Sequence, residues 1–426
     1  MKIPVMRCSC LALVTPGSGL LPLNASDVAG QGLPNLVRAN ERFGRMLLEK
    51  VHRRDPEHNI VVSPISLTII LAAIQNSSQD RQLRKEIGDA FGWGRYPRLG
   101  IPARMLLAAF EEPERPAPPG TGQTPKGMPE HVLRESPASQ EESWITNTFL
   151  FRSMDPGSDQ DLRPFAQNFV DDASKNFGMK FVDTGAANPT ANDLRGARKS
   201  VGALPQVSSK NDAWISSGAH LRTAWQGNTF SMSKPFTGEF RTAGGDKRQV
   251  EMITCEVSNY FHAVTDSFEA VVLPCNSAYM VAVLPAPGKD IHELERDLAN
   301  SPETLDAALK KEIGIVTMPT FHFVSEGDLR PQIEQMGIRQ VFQDLGPLVT
   351  IPGSHLTEVE QKVDLQVDKE GIRASAETVA GVVYRGIMEG TGFKMKIDRP
   401  FLFLIRDKNT NALLFLGAVM DPSQNR

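Results

Sequence analysis

The chain has 426 residues, of which 40% are hydrophobic and 23% charged, with a formal net charge of −4. This composition suits a globular protein with a sizeable core. The small acidic excess excludes the clustered basic charge that nucleic acid or an anionic membrane surface requires. Four cysteines are too few to frame a chain of this length with disulfides.

Residues 1–33 lack periodicity and read as an N-terminal extension. Lys2 and Arg7 precede a short apolar run, Cys8 to Val14, and then the small residues Thr15 to Gly19, the outline of a secretory signal that Arg7 interrupts. An extracellular location is therefore expected, with a cytoplasmic one as the alternative. The sequons at Asn24 and Asn76 act as glycosylation acceptors only in a secreted chain.

Residues 34–426 are read as one domain. Leu36, Asn40, Phe43, Leu47 and Val51 recur at helical spacing, with Met46 on the same face. The run Asn59-Ile-Val-Val-Ser63-Pro64-Ile-Ser66 predicts a short strand entering a helix. Ser63 is placed to cap that helix, and Pro64 suits the first helical position. The apolar run Ile60 to Ile74 is too short and too interrupted to span a bilayer. A further helix is predicted from Asp80 to Phe91.

Residues 111–142, rich in Pro, Gly, Ser and Glu, bury too little to offset their ordering entropy and are expected to be a disordered insertion. Beyond them Trp144–Phe151 alternates as a strand, and Phe165–Phe177 has helical spacing. The runs Glu269–Pro274 and Tyr279–Pro285 predict a hairpin. Val316–Phe323 reads as one strand, with Pro319 at an edge or bulge. Phe401–Ile405 and Leu413–Val419 predict a last hairpin turning at Asp407–Thr410. Helices early and strands late give an α+β class with large antiparallel or mixed sheets.

No nucleophile elbow, Walker loop, zinc-protease helix or dinucleotide fingerprint is present. Ser231-Met-Ser-Lys234 lacks the partner motifs of the enzymes that share it. The eight histidines look scattered, with none at metal-ligand spacing from a Cys, His or carboxylate, and His262 and His322 read as structural residues among apolar neighbours. Cys255 and Cys275 are expected to pack as free thiols, with a bridge between them left open. Neither a cofactor nor a metal is expected, and the chain does not read as an enzyme.

Three blocks in this order resemble the serpins: the run Asn59–Ser66; Met318-Pro-Thr-Phe-His-Phe with Leu329, Met336-Gly-Ile and Val341-Phe342; and Asp398-Arg-Pro-Phe-Leu-Phe-Leu-Ile405 ending in Phe415-Leu-Gly-Ala-Val-Met-Asp-Pro422. Trp225 in Thr-Ala-Trp-Gln-Gly matches a position at the top of the family's main sheet. The resemblance implies three β-sheets surrounded by about nine helices, with an exposed reactive-centre loop and a metastable, kinetically held native state. It also implies a monomer that traps a serine protease covalently. The protease attacks the loop and forms an acyl-enzyme, and the cut loop then enters the main sheet as a new strand, releasing strain.

On this resemblance the loop runs from Glu370 to Phe393, with Gly371 as its hinge and Lys369, Glu370, Ile372, Arg373, Ala374, Ser375 and Ala376 beside it. An inserted strand must alternate. One face would carry Ile372, Ala374, Ala376, Thr378, Ala380 and Val382, without charge; Arg373 and Glu377 fall on the other. The family's spacing from the hinge puts the reactive bond at Arg385-Gly386, which suits a trypsin-like protease, with Tyr384-Arg385 as the alternative. The sheet-opening region corresponds to Ser63, Ser66, Ser217, Trp225 and Gln361. Lys369, Ile372 and Glu377 depart from the inhibitory pattern, and Gln361 stands where the family often has histidine. The readings carried forward are an Arg-directed protease inhibitor and a non-inhibitory carrier, chaperone or storage serpin.

Overall fold

The computed structural model describes residues 32–93, 98–108, 142–151, 165–183, 212–226, 230, 234–350, 353–373 and 392–424. The predicted insertion, the expected reactive bond Arg385-Gly386 and the expected hinge residues Ala374, Ser375 and Ala376 lie outside them. Glu142, read as the insertion's last residue, is the first of a strand.

The N-terminal part is helical. Helix α1 (Gly32–His52) buries Leu36, Asn40, Phe43 and Leu47, as its spacing predicts. Strand β1 (Ile60–Val62) leads into α2 (Pro64–Ser77), whose first twelve residues are all buried. A helix apolar on every side belongs in the core, and α2 packs against α1 and both sheets. Ser63 holds the N-cap position but does not cap: its hydroxyl donates to the Leu414 carbonyl at 2.9 Å. Helix α3 (Arg81–Phe91) is capped by Asp80, which accepts from the Leu83 N–H. Helices α4 (Gly100–Ala108) and α5 (Gln167–Phe177) complete this part. Later come α6 (Ile291–Asn300), α7 (Glu303–Ala308) and α8 (Arg330–Gln335), making eight α-helices among the described residues. None of them is long and apolar enough to cross a membrane.

The strands are β2 (Glu142–Phe151), β3 (Lys180–Asp183), β4 (Asp212–Ala224), β5 (Phe236–Arg241), β6 (Lys247–Val264), β7 (Phe268–Pro274), β8 (Ala278–Pro285), β9 (Lys310–Pro319), β10 (Phe321–Asp328), β11 (His355–Val367), β12 (Gly371–Arg373), β13 (Phe393–Lys396), β14 (Phe401–Asp407) and β15 (Leu413–Val419). Six form one sheet in the order β10-β11-β12-β4-β2-β3. The other nine form a second hydrogen-bonded path, β1-β15-β14-β8-β7-β6-β9-β13, with β5 on β6. The third sheet implied by the resemblance is continuous with this path through β6. Its first residues pair with β5, while Phe261–Val264 pair with β7.

Both predicted hairpins form. In the first, Leu273 faces Met280 and the Cys275 N–H closes on the Ala278 carbonyl. In the last, the Asp407 carboxylate accepts the N–H groups of Asn409 and Thr410. The strand predicted over Val316–Phe323 is two strands in different sheets, parted at Thr320. The chain leaves β9, paired with β6 in the larger sheet, and enters β10, the edge of the six-stranded sheet.

Candidate functional site

Of the residues expected to form the hinge, Gly371–Arg373 make the short strand β12, seated between β11 and β4 at one end of the six-stranded sheet. Arg373 and Ile372 pair antiparallel with Gln366 and Val367 of β11, and with Arg222 and Thr223 of β4. Ile372 is fully buried, on the face predicted from its alternation. Gly371 is needed by proximity, since a Cβ there would lie 2.2 Å from the Thr223 carbonyl oxygen. Arg373, expected on the opposite face, is also largely buried. Its guanidinium donates to Asp368 Oδ2 at 2.6 Å, with Glu370 at 3.5 Å.

The turn into the hinge is organised by Asp368, a residue that sequence reasoning missed. Its Oδ1 accepts the N–H groups of Glu370 (2.9 Å) and Gly371 (3.2 Å), and its Oδ2 accepts from Gln366 Nε2 (3.0 Å). The Asp-Lys-Glu-Gly pattern was the available signal, because Asp at the head of a turn bonds the backbone just after it. Trp225 lies over the same turn: its indole N–H donates to the Asp368 carbonyl at 2.7 Å and its backbone N–H to Glu370. Burial and the neighbouring Asp368 push the Glu370 carboxyl above its ordinary range, while Lys369, 3.5 Å away, opposes them.

Below β12 the two flanking strands close on each other. β11 pairs parallel with β4 from His355↔Asp212 to Gln361↔Ser217. At the upper end of this closed section the predicted residues come together. Ser217 Oγ donates to Ser66 Oγ at 2.7 Å, Gln361 Nε2 donates to Ser66 Oγ at 3.1 Å, and Ser66 Oγ donates to the Ser63 carbonyl. Gln361 also clamps the entry to α2, accepting from the Ser63 N–H (2.8 Å) and donating to its carbonyl (2.9 Å). All four residues are buried. Glutamine can do this because its amide both donates and accepts. Trp225 is not part of the cluster; it belongs to the hinge turn.

The histidines need correction. His322 lies on β10 but faces outward, 2.8 Å from Asp364. His262 is buried as expected, stacked on Phe393 with ring centroids 3.7 Å apart and bonded to Glu269 and Glu312. Burial alone would lower its pKa; the two carboxylates outweigh that and raise it. Contrary to the expectation from the sequence, one histidine does have a carboxylate at ligand spacing. His292 and Glu295 share one face of α6, and His52 joins them from α1. Cys255 and Cys275 are buried thiols that do not bridge to each other, and Cys255 Sγ lies 2.6 Å from the Tyr260 hydroxyl.

A model of the family described as serpin (serine protease inhibitor) matches residues 38–422. The chain belongs to the serpin family. Iripin-3 of Ixodes ricinus is 34% identical over 147 residues, spanning 33% of this chain and 36% of that protein. Serpin A3-2 of Bos taurus is 23% identical over 410 residues, covering 91% of this serpin and 90% of its own length. Among solved structures, thyroxine-binding globulin in complex with thyroxine has a TM-score of 0.70 at 19% identity. The match covers 91% of this chain and all of that one. That likeness is one of fold.

Proposed function

We propose that this serpin is a suicide-substrate inhibitor of trypsin-like serine proteases that acts outside the cell. A protease would cleave Arg385-Gly386, and the cut loop would enter the six-stranded sheet between β11 and β4, carrying the acyl-enzyme with it. The observation that carries this reading is the seated hinge: β12 already pairs with both flanking strands in the antiparallel sense an inserted loop needs.

The hinge register also extends along the loop. Thr378, five residues after Arg373, would meet Gln361, five before Gln366, on one side and Ser217, five before Arg222, on the other. It would thus part the Gln361↔Ser217 pair that now holds the strands together, and bring a hydroxyl into the Ser66 cluster. Glu377 would face Lys362, which now pairs with Glu326 at 2.7 Å. A departure from the inhibitory pattern thereby acquires a partner on the outer face. An opposite-charge cross-strand pair contributes roughly 0.2–1 kcal/mol.

A non-inhibitory carrier is the second reading. It is favoured by the buried Arg373–Asp368 ion pair, which could hold the hinge at rest, and by the ligand in the thyroxine-binding globulin structure. Mixing with trypsin separates the two. Inhibition predicts a complex that survives denaturing electrophoresis and disappears in Arg385→Ala. Trypsin that clips the loop and stays fully active would falsify the inhibitor reading.

A further inference from the structure

The last residue of α1, His52, meets the first turns of α6. His52 Nδ1 lies 2.5 Å from Glu295 Oε1, and His292 Nδ1 lies 3.5 Å from Glu295 Oε2. The two imidazole centroids are 4.6 Å apart. One donor atom from each of the three residues lies within 4.8 Å of the others. His292 and Glu295 are three residues apart and so share a helix face. We propose that His52, His292 and Glu295 form a binding site for a divalent transition metal of the zinc class, joining the end of α1 to α6.

The donor set selects the ion. Two imidazoles and one carboxylate suit zinc and its neighbours, with a fourth position left for water. Calcium and magnesium prefer sets made of oxygen. Tetrahedral zinc with bonds of about 2.0–2.1 Å holds its ligand atoms roughly 3.3 Å apart. The site reaches that spacing by opening the His52–Glu295 contact by under about an ångström and drawing the wider pairs inward, which side-chain rotation supplies.

The burial of His52 fixes which of its nitrogens can bind. His52 is fully buried, and its Nε2 has no hydrogen-bond partner among the described residues. A buried polar atom without a partner is costly. Nδ1 faces Glu295 and Nε2 lies on the opposite edge of the ring, so Nδ1 is the nitrogen that can share an ion with the carboxylate. Metal binding at Nδ1 displaces the proton from that nitrogen and leaves the ring's N–H on Nε2. His292, whose side chain is 33% exposed, gives the ion a way in from solvent.

The test is titration of the metal-free full-length protein with zinc chloride by calorimetry, with cobalt(II) as a spectroscopic stand-in. One zinc per chain is expected, and cobalt should show the intense visible bands of a four-coordinate ion. His292→Ala, at the exposed ligand, should weaken zinc binding at least tenfold while the protein stays folded. Glu295→Gln should do the same, whereas His322→Ala, at the exposed pair with Asp364, should leave binding unchanged. Absence of zinc binding by the wild type, or binding that survives His292→Ala and Glu295→Gln, overturns the proposal.

Discussion

The extended register makes a parity prediction. Exchanging two adjacent loop residues, Glu377→Thr with Thr378→Glu, keeps composition and net charge but moves one carboxylate from the outer face to the inner face. At the inner position it would arrive between Ser217, fully buried, and Gln361, 4% exposed. Burying an unpaired carboxylate costs several kcal/mol even after relaxation, against roughly 0.2–1 kcal/mol for losing a cross-strand pair with Lys362. If about 3 kcal/mol of this reaches the insertion barrier, insertion slows more than a hundredfold. On the proposed mechanism deacylation would then win, and the protein would behave as a substrate. The assay is the number of serpin molecules consumed per trypsin inhibited, with thermal unfolding of the uncleaved protein as the control for folding. Glu377→Thr alone should stay near wild type. An exchanged protein that traps trypsin as efficiently as wild type would show that the loop enters in another register or not at all.

Three further outcomes follow from the same geometry. Gly371→Val should expel β12 from the sheet, because its side chain would collide with the Thr223 carbonyl; changed fluorescence of Trp225, freed from Asp368, reports it, and an unaltered spectrum refutes it. Ser66→Ala should lower the stability of the intact protein by about 1–3 kcal/mol in urea unfolding, since it takes the acceptor from the buried Ser217 hydroxyl and one of the bonds of Gln361, which keeps its two to Ser63. The raised pKa of His262 means its bonds to Glu269 and Glu312 contribute stability that is full below the ordinary imidazole value of 6.5 and lost as pH rises through the higher folded value. Unfolding midpoints should fall across that window in the wild type and flatten in His262→Gln, and parallel profiles for the two proteins would refute the assignment.

Much of this arrangement was legible in the sequence because it is local. The face of α1 and the two hairpins follow from periods and turn residues spanning a few positions. The inward face of the hinge was legible too, since Ile372 needs only alternation to declare itself. Arg373 was misjudged as a plain outer-face charge because its burial depends on Asp368, whose role is set by the fold of the turn. The split at Thr320 was hidden because Val316–Phe323 carries one unbroken strand pattern; only the partners, β6 on one side and β11 on the other, separate its halves. His52 and Glu295 are 243 residues apart, so no spacing rule could bring them together.

The seated hinge also bears on how insertion would start. Adding a strand resembles closing a zipper, where fixing the first residues is the unfavourable step and each later pair follows with less loss of entropy. Here that first step is complete at rest: Ile372 and Arg373 are engaged on both sides, and the Asp368 turn holds their direction. The remaining obstacle to insertion would be parting β11 from β4, whose pairing ends at Gln361 and Ser217. The speed of the trap would then be governed by the Ser66 cluster and not by the hinge. A loop from a second molecule would find the top of the sheet already taken and would have to enter below Arg373.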